Sequence, residues 1–117
     1  MMFNTIKKRS EFVRIGKIGS RAKTDNLVVL CVKSDMQPSV VGYTASRRVG
    51  CAVLRNKAKR RLRSLVHEIT NGSIVSFDGF SFVIIANQNT PVVNFQKLRS
   101  DFFYAIKKSI DRTLHAR

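Results

Sequence analysis

Seventeen residues run from Arg47 to Arg63. Eight are basic (Arg47, Arg48, Arg55, Lys57, Lys59, Arg60, Arg61 and Arg63) and none is acidic. Side chains three and four apart on a helix are neighbours, so solvated helices usually mix charge signs at that spacing. Here Arg55, Lys59 and Arg63 follow one another at i,i+4, and a helix through them repels itself. The missing negative charge points to a polyanionic partner. At about 100° per residue, Leu54, Ala58, Leu62, Leu65, Val66 and Ile69 fall on one side, and Asn56, Lys59, Arg60 and Arg63 on the other. A core face and a polyanion face are therefore distinct. Arg61 lies near the apolar edge, where its stem can cross apolar surface. Asn56 adds an amide that both donates and accepts. Gly50, beside Arg47 and Arg48, offers a phosphate close approach to the free N–H groups at a helix start.

The chemistry of a self-sufficient nuclease is missing. Two-metal hydrolysis needs several carboxylates converging on one site. The seven acids, Glu11, Asp25, Asp35, Glu68, Asp78, Asp101 and Asp111, are scattered singly. A metal-free route needs paired acid and base groups, and no motif in the sequence marks His67 or His115 as half of such a pair. Cys31 and Cys51 show no paired spacing and read as free thiols in a reducing cytosol. Zinc would need His67 or His115 at ligand spacing, and neither is.

The elements that must carry the basic helix come from 117 residues, 44% of them hydrophobic, with 22 Lys and Arg against 7 Asp and Glu, a net charge of +15. That is one domain, residues 1–117, with a real core and a charge that favours nucleic acid over a neutral metabolite. No apolar run reaches the length of a membrane span. Met1 to Ser10 is polar and basic, unlike a secretory signal, so a cytoplasmic location is expected.

Lys7 to Ile15 reads as a short helix with Gly16 and Gly19 as stops. Leu27 to Val32 is a buried strand, and Asp35 to Pro38 is a turn. Val40 to Ser46 reads as a second strand, hairpin-linked to the first. Ala52 to Thr70 is the clearest helix, closed by Asn71-Gly72 with glycine in a left-handed cap. Phe80 to Ala86 is a strand, and Ile74 to Phe77 has room for a short extra one. Asn94 can cap a last helix to about Leu114, with Phe95, Leu98, Phe102, Ile106 and Ile110 as its buried stripe. The order αββαβα implies an α/β (α+β) two-layer sandwich: a small mixed four-stranded sheet with about three helices.

The stretch from Val41 to Arg63 resembles the signature of the protein subunit of bacterial ribonuclease P: a strand, a basic pair (Arg47-Arg48), V-G-x-A-V (Val49-Gly50-Cys51-Ala52-Val53), then a helix carrying Arg55-Asn56, Lys59-Arg60 and Arg63. The resemblance extends over nearly the whole chain, with Glu11-Phe12 matching the first helix and Ile84-Ile85-Ala86 a later strand. It implies an α/β sandwich with a left-handed βαβ crossover, against the usual hand. It also implies a cofactor of a catalytic RNA, bound one to one. The RNA hydrolyses precursor tRNA to remove the 5′ leader, using Mg2+ held mainly by the RNA. The protein would be a subunit of an endoribonuclease without being catalytic alone. Carried over, Arg47, Arg48, Arg55, Asn56, Lys57, Lys59, Arg60 and Arg63 face RNA. Asn56 is a candidate neighbour of an RNA-bound cation, and Phe12 lines the leader cleft, where ring stacking holds single strands of any sequence.

This chain departs from the family in places. Lys57 replaces a frequent Arg and loses the planar fork. Gly16 and Leu30 stand where aromatics are frequent, and Asn87 where an Arg is common. Composition alone also suits a small ribosomal protein or general RNA chaperone, which would not stimulate tRNA processing specifically. A DNA-binding module lacks a helix-turn-helix pair. A membrane-surface helix would need the apolar face that the core requires.

Overall fold

The computed structural model describes residues 4–5, 9–33, 40–72 and 79–115. Two strands are apolar almost throughout, β3 (Leu27–Lys33) and β5 (Phe80–Ala86). Such strands need cover on both faces, and they lie side by side, antiparallel, from Leu27↔Ala86 to Lys33↔Phe80. β4 (Val40–Thr44) pairs parallel with the other side of β5. β2 (Ser20–Lys23) pairs antiparallel with β3, and the two-residue β1 (Asn4–Thr5) runs parallel along β4. The order is β1-β4-β5-β3-β2. It is a mixed sheet of four strands of four residues or more, extended at one edge by β1.

Among the described residues three helices accompany it: α1 (Arg9–Ile18), α2 (Ala52–Gly72) and α3 (Phe95–Leu114). Val29, Cys31, Phe82 and Ile84 face α2 and α3 in the main core. Leu30, Val32 and Val83 face the other way and are covered by Ile15 of α1. Strand alternation thus divides the sheet between a long two-helix layer and one short helix. Asn94 caps α3 as its sequence suggests, its side chain accepting from the amides of Gln96 and Lys97. The Arg99 Nη2 to Glu68 Oε1 ion pair, 2.5 Å, ties α3 to α2.

The expected αββαβα core is present, with differences in detail. β4 is not hairpin-linked to β3, because β5 lies between them. Consecutive strands often pair, but the apolar β5 is the strand that must be enclosed, and it takes the central place. β3 instead forms its hairpin with β2, which the sequence reading passed over because Ser-Arg-Ala-Lys holds one apolar residue, the buried Ala22. α1 runs through Gly16 to Ile18 and closes where the Gly19 amide donates to the Ile15 carbonyl at 2.8 Å. A Cβ on Gly19 would stand 2.5 Å from that oxygen, so the second glycine is the stop. α2 includes Asn71 and Gly72 rather than ending before them. The turn at Asp35–Pro38 and the extra strand at Ile74–Phe77 lie outside the described residues.

Candidate nucleic-acid interface

The basic helix is launched by a tight turn. The Ser46 hydroxyl accepts from the Arg48 amide at 3.3 Å, opening a 3-10 turn over Arg47–Val49. Val49 is buried in the core while Arg47 and Arg48 are exposed. Gly50 has φ 137°, and a Cβ there would meet Leu54 Cδ1 at 2.8 Å. The turn itself accounts for this glycine, without a need to admit a phosphate. Cys51 follows, exposed. The Leu54 amide holds its thiol below the ordinary range against desolvation, with further help from the amides of Val53 and Cys51 and from the Arg55 charge.

α2 then divides as its periodicity requires. Ala58, Leu62, Leu65 and Ile69 are buried. Asn56, Arg60 and Arg63 are exposed, and Arg55, Lys57 and Lys59 flank them half-buried. Among the described residues no ion pair engages Arg47, Arg48, Arg55, Lys57, Lys59 or Arg60. The six positive charges stand together unneutralised. Arg63 is steadied from below, its guanidinium 5.9 Å from the Tyr43 ring centroid. Burial pushes the Tyr43 phenol up to about 12, opposed by the Arg63 charge. Arg61 turns to the protein, as its place at the apolar edge suggests. Its Nη1 donates to the carbonyls of Thr90 (3.1 Å) and Val93 (2.6 Å).

A second surface lies on the α1 side of the sheet. Phe12 is half-buried against the small cluster of Ile15, Leu30, Val32 and Val83, on which Val28 and Ile85 also pack. One turn on, Gly16 is exposed, and a Cβ there would meet nothing beyond its own helix within 4 Å. Leu30 is 4% exposed and belongs to the core beneath. Val28 and Ile85 are cross-strand partners. Just past Ile85 the sheet ends at an open cavity of about 520 Å³ lined by Lys23, Thr24, Asp25, Arg48, Asn87, Gln88 and Asn89. The side-chain amides of Asn87 and Asn89 both donate to the Asp25 carbonyl, at 3.0 and 2.8 Å. Asn87, at the position where an Arg is common, thus holds the groove wall in shape. Arg48 belongs to this groove as well as to the start of α2, and so joins the two surfaces.

Lys23, Gln88 and Asn89 carry no mark in the sequence of sharing one groove, because they come from two segments far apart in the chain. Their one local signal was the Asn87–Thr90 run of hydrogen-bonding residues between a strand and Pro91. Among the described residues no three His, Cys, Asp or Glu side chains converge as a metal site. Glu68 is held by Arg99, Asp101 by Lys97 and the Asn26 amide, and Asp111 by His115. No helix of the described residues is long and apolar enough to cross a membrane.

A family profile described as Ribonuclease P matches residues 2–109. The chain belongs to the ribonuclease P protein family. The ribonuclease P protein component of Gluconacetobacter diazotrophicus is 30% identical over 105 residues, 89% of either chain. That of Bacillus mycoides is 31% identical over 107 residues, 91% of this chain and 90% of its own. The fold is similar to the RNase P protein of Staphylococcus aureus, with a TM-score of 0.75 at 25% identity, covering 92% of this chain and 95% of the other. It is also similar to the Thermotoga maritima protein, with a TM-score of 0.74 at 28% identity, covering 90% and 96%. The likeness covers about nine-tenths of the chain in both cases.

Proposed function

We propose that this ribonuclease P family member binds the catalytic RNA subunit through the outer face of α2, using Arg55, Asn56, Lys57, Lys59, Arg60 and Arg63, with Arg47 and Arg48 at the helix start. The observation that carries this reading is the cationic face of α2, without ion pairs among the described residues, set opposite a face whose Ala58, Leu62, Leu65 and Ile69 are buried. Phosphates neutralise such a face and release counterions, so affinity is strongly salt-dependent. The single-stranded 5′ leader of precursor tRNA then lies along α1, stacked on Phe12, and passes toward Arg48 and Lys23 in the groove. Half-exposed rings and neutral amides suit a strand whose sequence varies. Hydrolysis belongs to the RNA. The Mg2+ it uses would be held mainly by that RNA, since no three His, Cys, Asp or Glu side chains converge among the described residues, and the exposed Asn56 amide could meet a hydrated cation at the junction. The protein's own part is to hold the precursor and raise its affinity, one protein per RNA, in the cytoplasm.

Single-turnover cleavage of a precursor tRNA at low Mg2+ tests this reading. The comparison is RNA subunit alone, RNA with protein, and protein alone. Rescue by the protein, with none from protein alone, is expected. Salt-sensitive RNA binding without rescue would reduce the chain to a general RNA-binding protein, and cleavage by protein alone would place the chemistry in the wrong molecule.

A further inference from the structure

Arg61 differs from its neighbours on α2. Its guanidinium is drawn inward, 5.7 Å from the Phe95 ring centroid, and donates to the Thr90 and Val93 carbonyls. Thr90 is itself fully buried. Its hydroxyl donates to the Asn26 carbonyl at 2.6 Å and accepts from the Asn87 amide at 2.9 Å. Asn26 and Asn87 bracket the groove: Asn26 follows Asp25, and the Asn87 side chain donates to the Asp25 carbonyl. An unbroken run of hydrogen bonds therefore leads from the middle of the basic helix to the wall of the groove.

We infer that Arg61, acting through Thr90, is a positioning residue that fixes the cationic face of α2 relative to the groove formed by Lys23, Asp25, Arg48, Asn87 and Asn89, so that RNA held on the helix delivers its single strand into the groove. The inference rests on the function proposed above and adds to it a residue that does not itself touch RNA. A guanidinium is suited to this work. It stays charged, is weakly hydrated, and its fixed planar donors set the angle between two carbonyls and the helix. Both Nη1 hydrogens are given to protein carbonyls and the guanidinium lies near the Phe95 ring, so the group is anchored toward the protein side of the helix. Two sites joined by a stiff link are coupled, and losing the link weakens the coupling without removing either site.

The test uses the full chain reconstituted with its cognate RNA subunit, as wild type, Arg61→Met, Arg61→Lys, Thr90→Val and Arg60→Met. Three quantities are read: affinity for the RNA subunit, affinity of the holoenzyme for precursor tRNA with a long leader, and affinity for the same precursor with its leader trimmed to the last nucleotide. Arg61→Met keeps the stem over Phe95 and loses the donors. It is expected to hold RNA-subunit affinity within about twofold while the gain from the long leader falls by about five- to tenfold, the lower range of ordinary site-to-site coupling. Arg61→Lys should recover part of that gain. Thr90→Val, which keeps shape and loses the hydroxyl, should move the same way. A merely stabilising role would not move the ratio of the two precursor affinities in folded protein, and thermal melts establish folding. An unchanged leader gain in folded Arg61→Met and Thr90→Val overturns the inference. So does a loss of RNA-subunit affinity equal to that of Arg60→Met. A wild-type holoenzyme indifferent to leader length would instead refute the leader reading on which the inference stands.

Discussion

Replacing Arg55, Lys59 and Arg63 together by Ala removes three of the cations that α2 presents without an acidic partner. Each phosphate neutralised contributes a log–log salt slope of about −0.7 to −0.9, so the triple variant should bind the RNA subunit with a slope shallower by about two to three units. A threefold rise in monovalent salt is about half a decade, so the affinity gap between wild type and variant should narrow roughly tenfold over that rise. The fold should survive. Two like-charge i,i+4 pairs disappear, which returns about 0.4–1 kcal/mol. Against this stands the stacking of Arg63 over Tyr43, about 0.5–1 kcal/mol for a partly exposed pair. The two nearly cancel, and alanine is the best helix former. Filter binding or fluorescence anisotropy across a salt series reads the slope, and a thermal melt in low salt checks the fold. A folded variant whose slope stays within about half a unit of wild type would refute the reasoning, because at least two lost contacts were required to change it.

Other outcomes follow from single positions. Gly16 is helical with open space above it, so Gly16→Ala should stabilise by about 0.5–1 kcal/mol in urea unfolding, whereas Gly50→Ala meets Leu54 at a positive φ and should cost at least about 1–3 kcal/mol. The thiol of exposed Cys51 is lowered, so it should alkylate at a lower pH than an ordinary thiol near 8.5, and saturating RNA subunit should slow that reaction. Burial holds the Cys31 thiol up to about 11 from 9.0, countered in part by the Thr113 and Ser109 hydroxyls. The folded state therefore keeps its proton where the unfolded chain loses it. The resulting stability is whole below pH 9 and lost progressively toward 11, about 2–3 kcal/mol in all, and Cys31→Val should flatten that decline in denaturant titrations at several pH values. Asn94→Ala removes the acceptor for two amides at the start of α3 and should cost about 1 kcal/mol by thermal melting.

What the sequence disclosed was whatever repeats locally. The buried stripe of α3, the two-sided pattern of α2 and the apolar runs of β3 and β5 each carry their own period, and each stands where that period put it. Arg61 was legible as an edge residue, though not its carbonyl partners, which come about thirty residues later. Strand pairing was not legible, because neighbourhood in the chain favours a β3–β4 hairpin while burial demands that β5 separate them. β2 escaped because its only core residue is Ala22. The groove escaped for a related reason: Lys23, Arg48 and Asn89 look like ordinary surface residues until the sheet gathers their loops at one end. The cationic face needed no tertiary information, since like charges at i,i+4 are a local anomaly.

The borders of the sheet have a consequence of their own. Among the described residues one border is the two-residue β1, and the other, β2, carries exposed Arg21 and Lys23, with the Arg21 carbonyl receiving the Arg112 guanidinium of α3. Open strand borders invite like chains to add on, and short length and inward or flanking lysine and arginine discourage it. For most of its surface this molecule is kept from its copies by mutual repulsion, but that protection vanishes wherever a polyanion neutralises it. The borders keep theirs, because brevity and a covered carbonyl do not depend on net charge. Many copies crowded along negatively charged polymers would therefore stay separate molecules instead of knitting into fibrils.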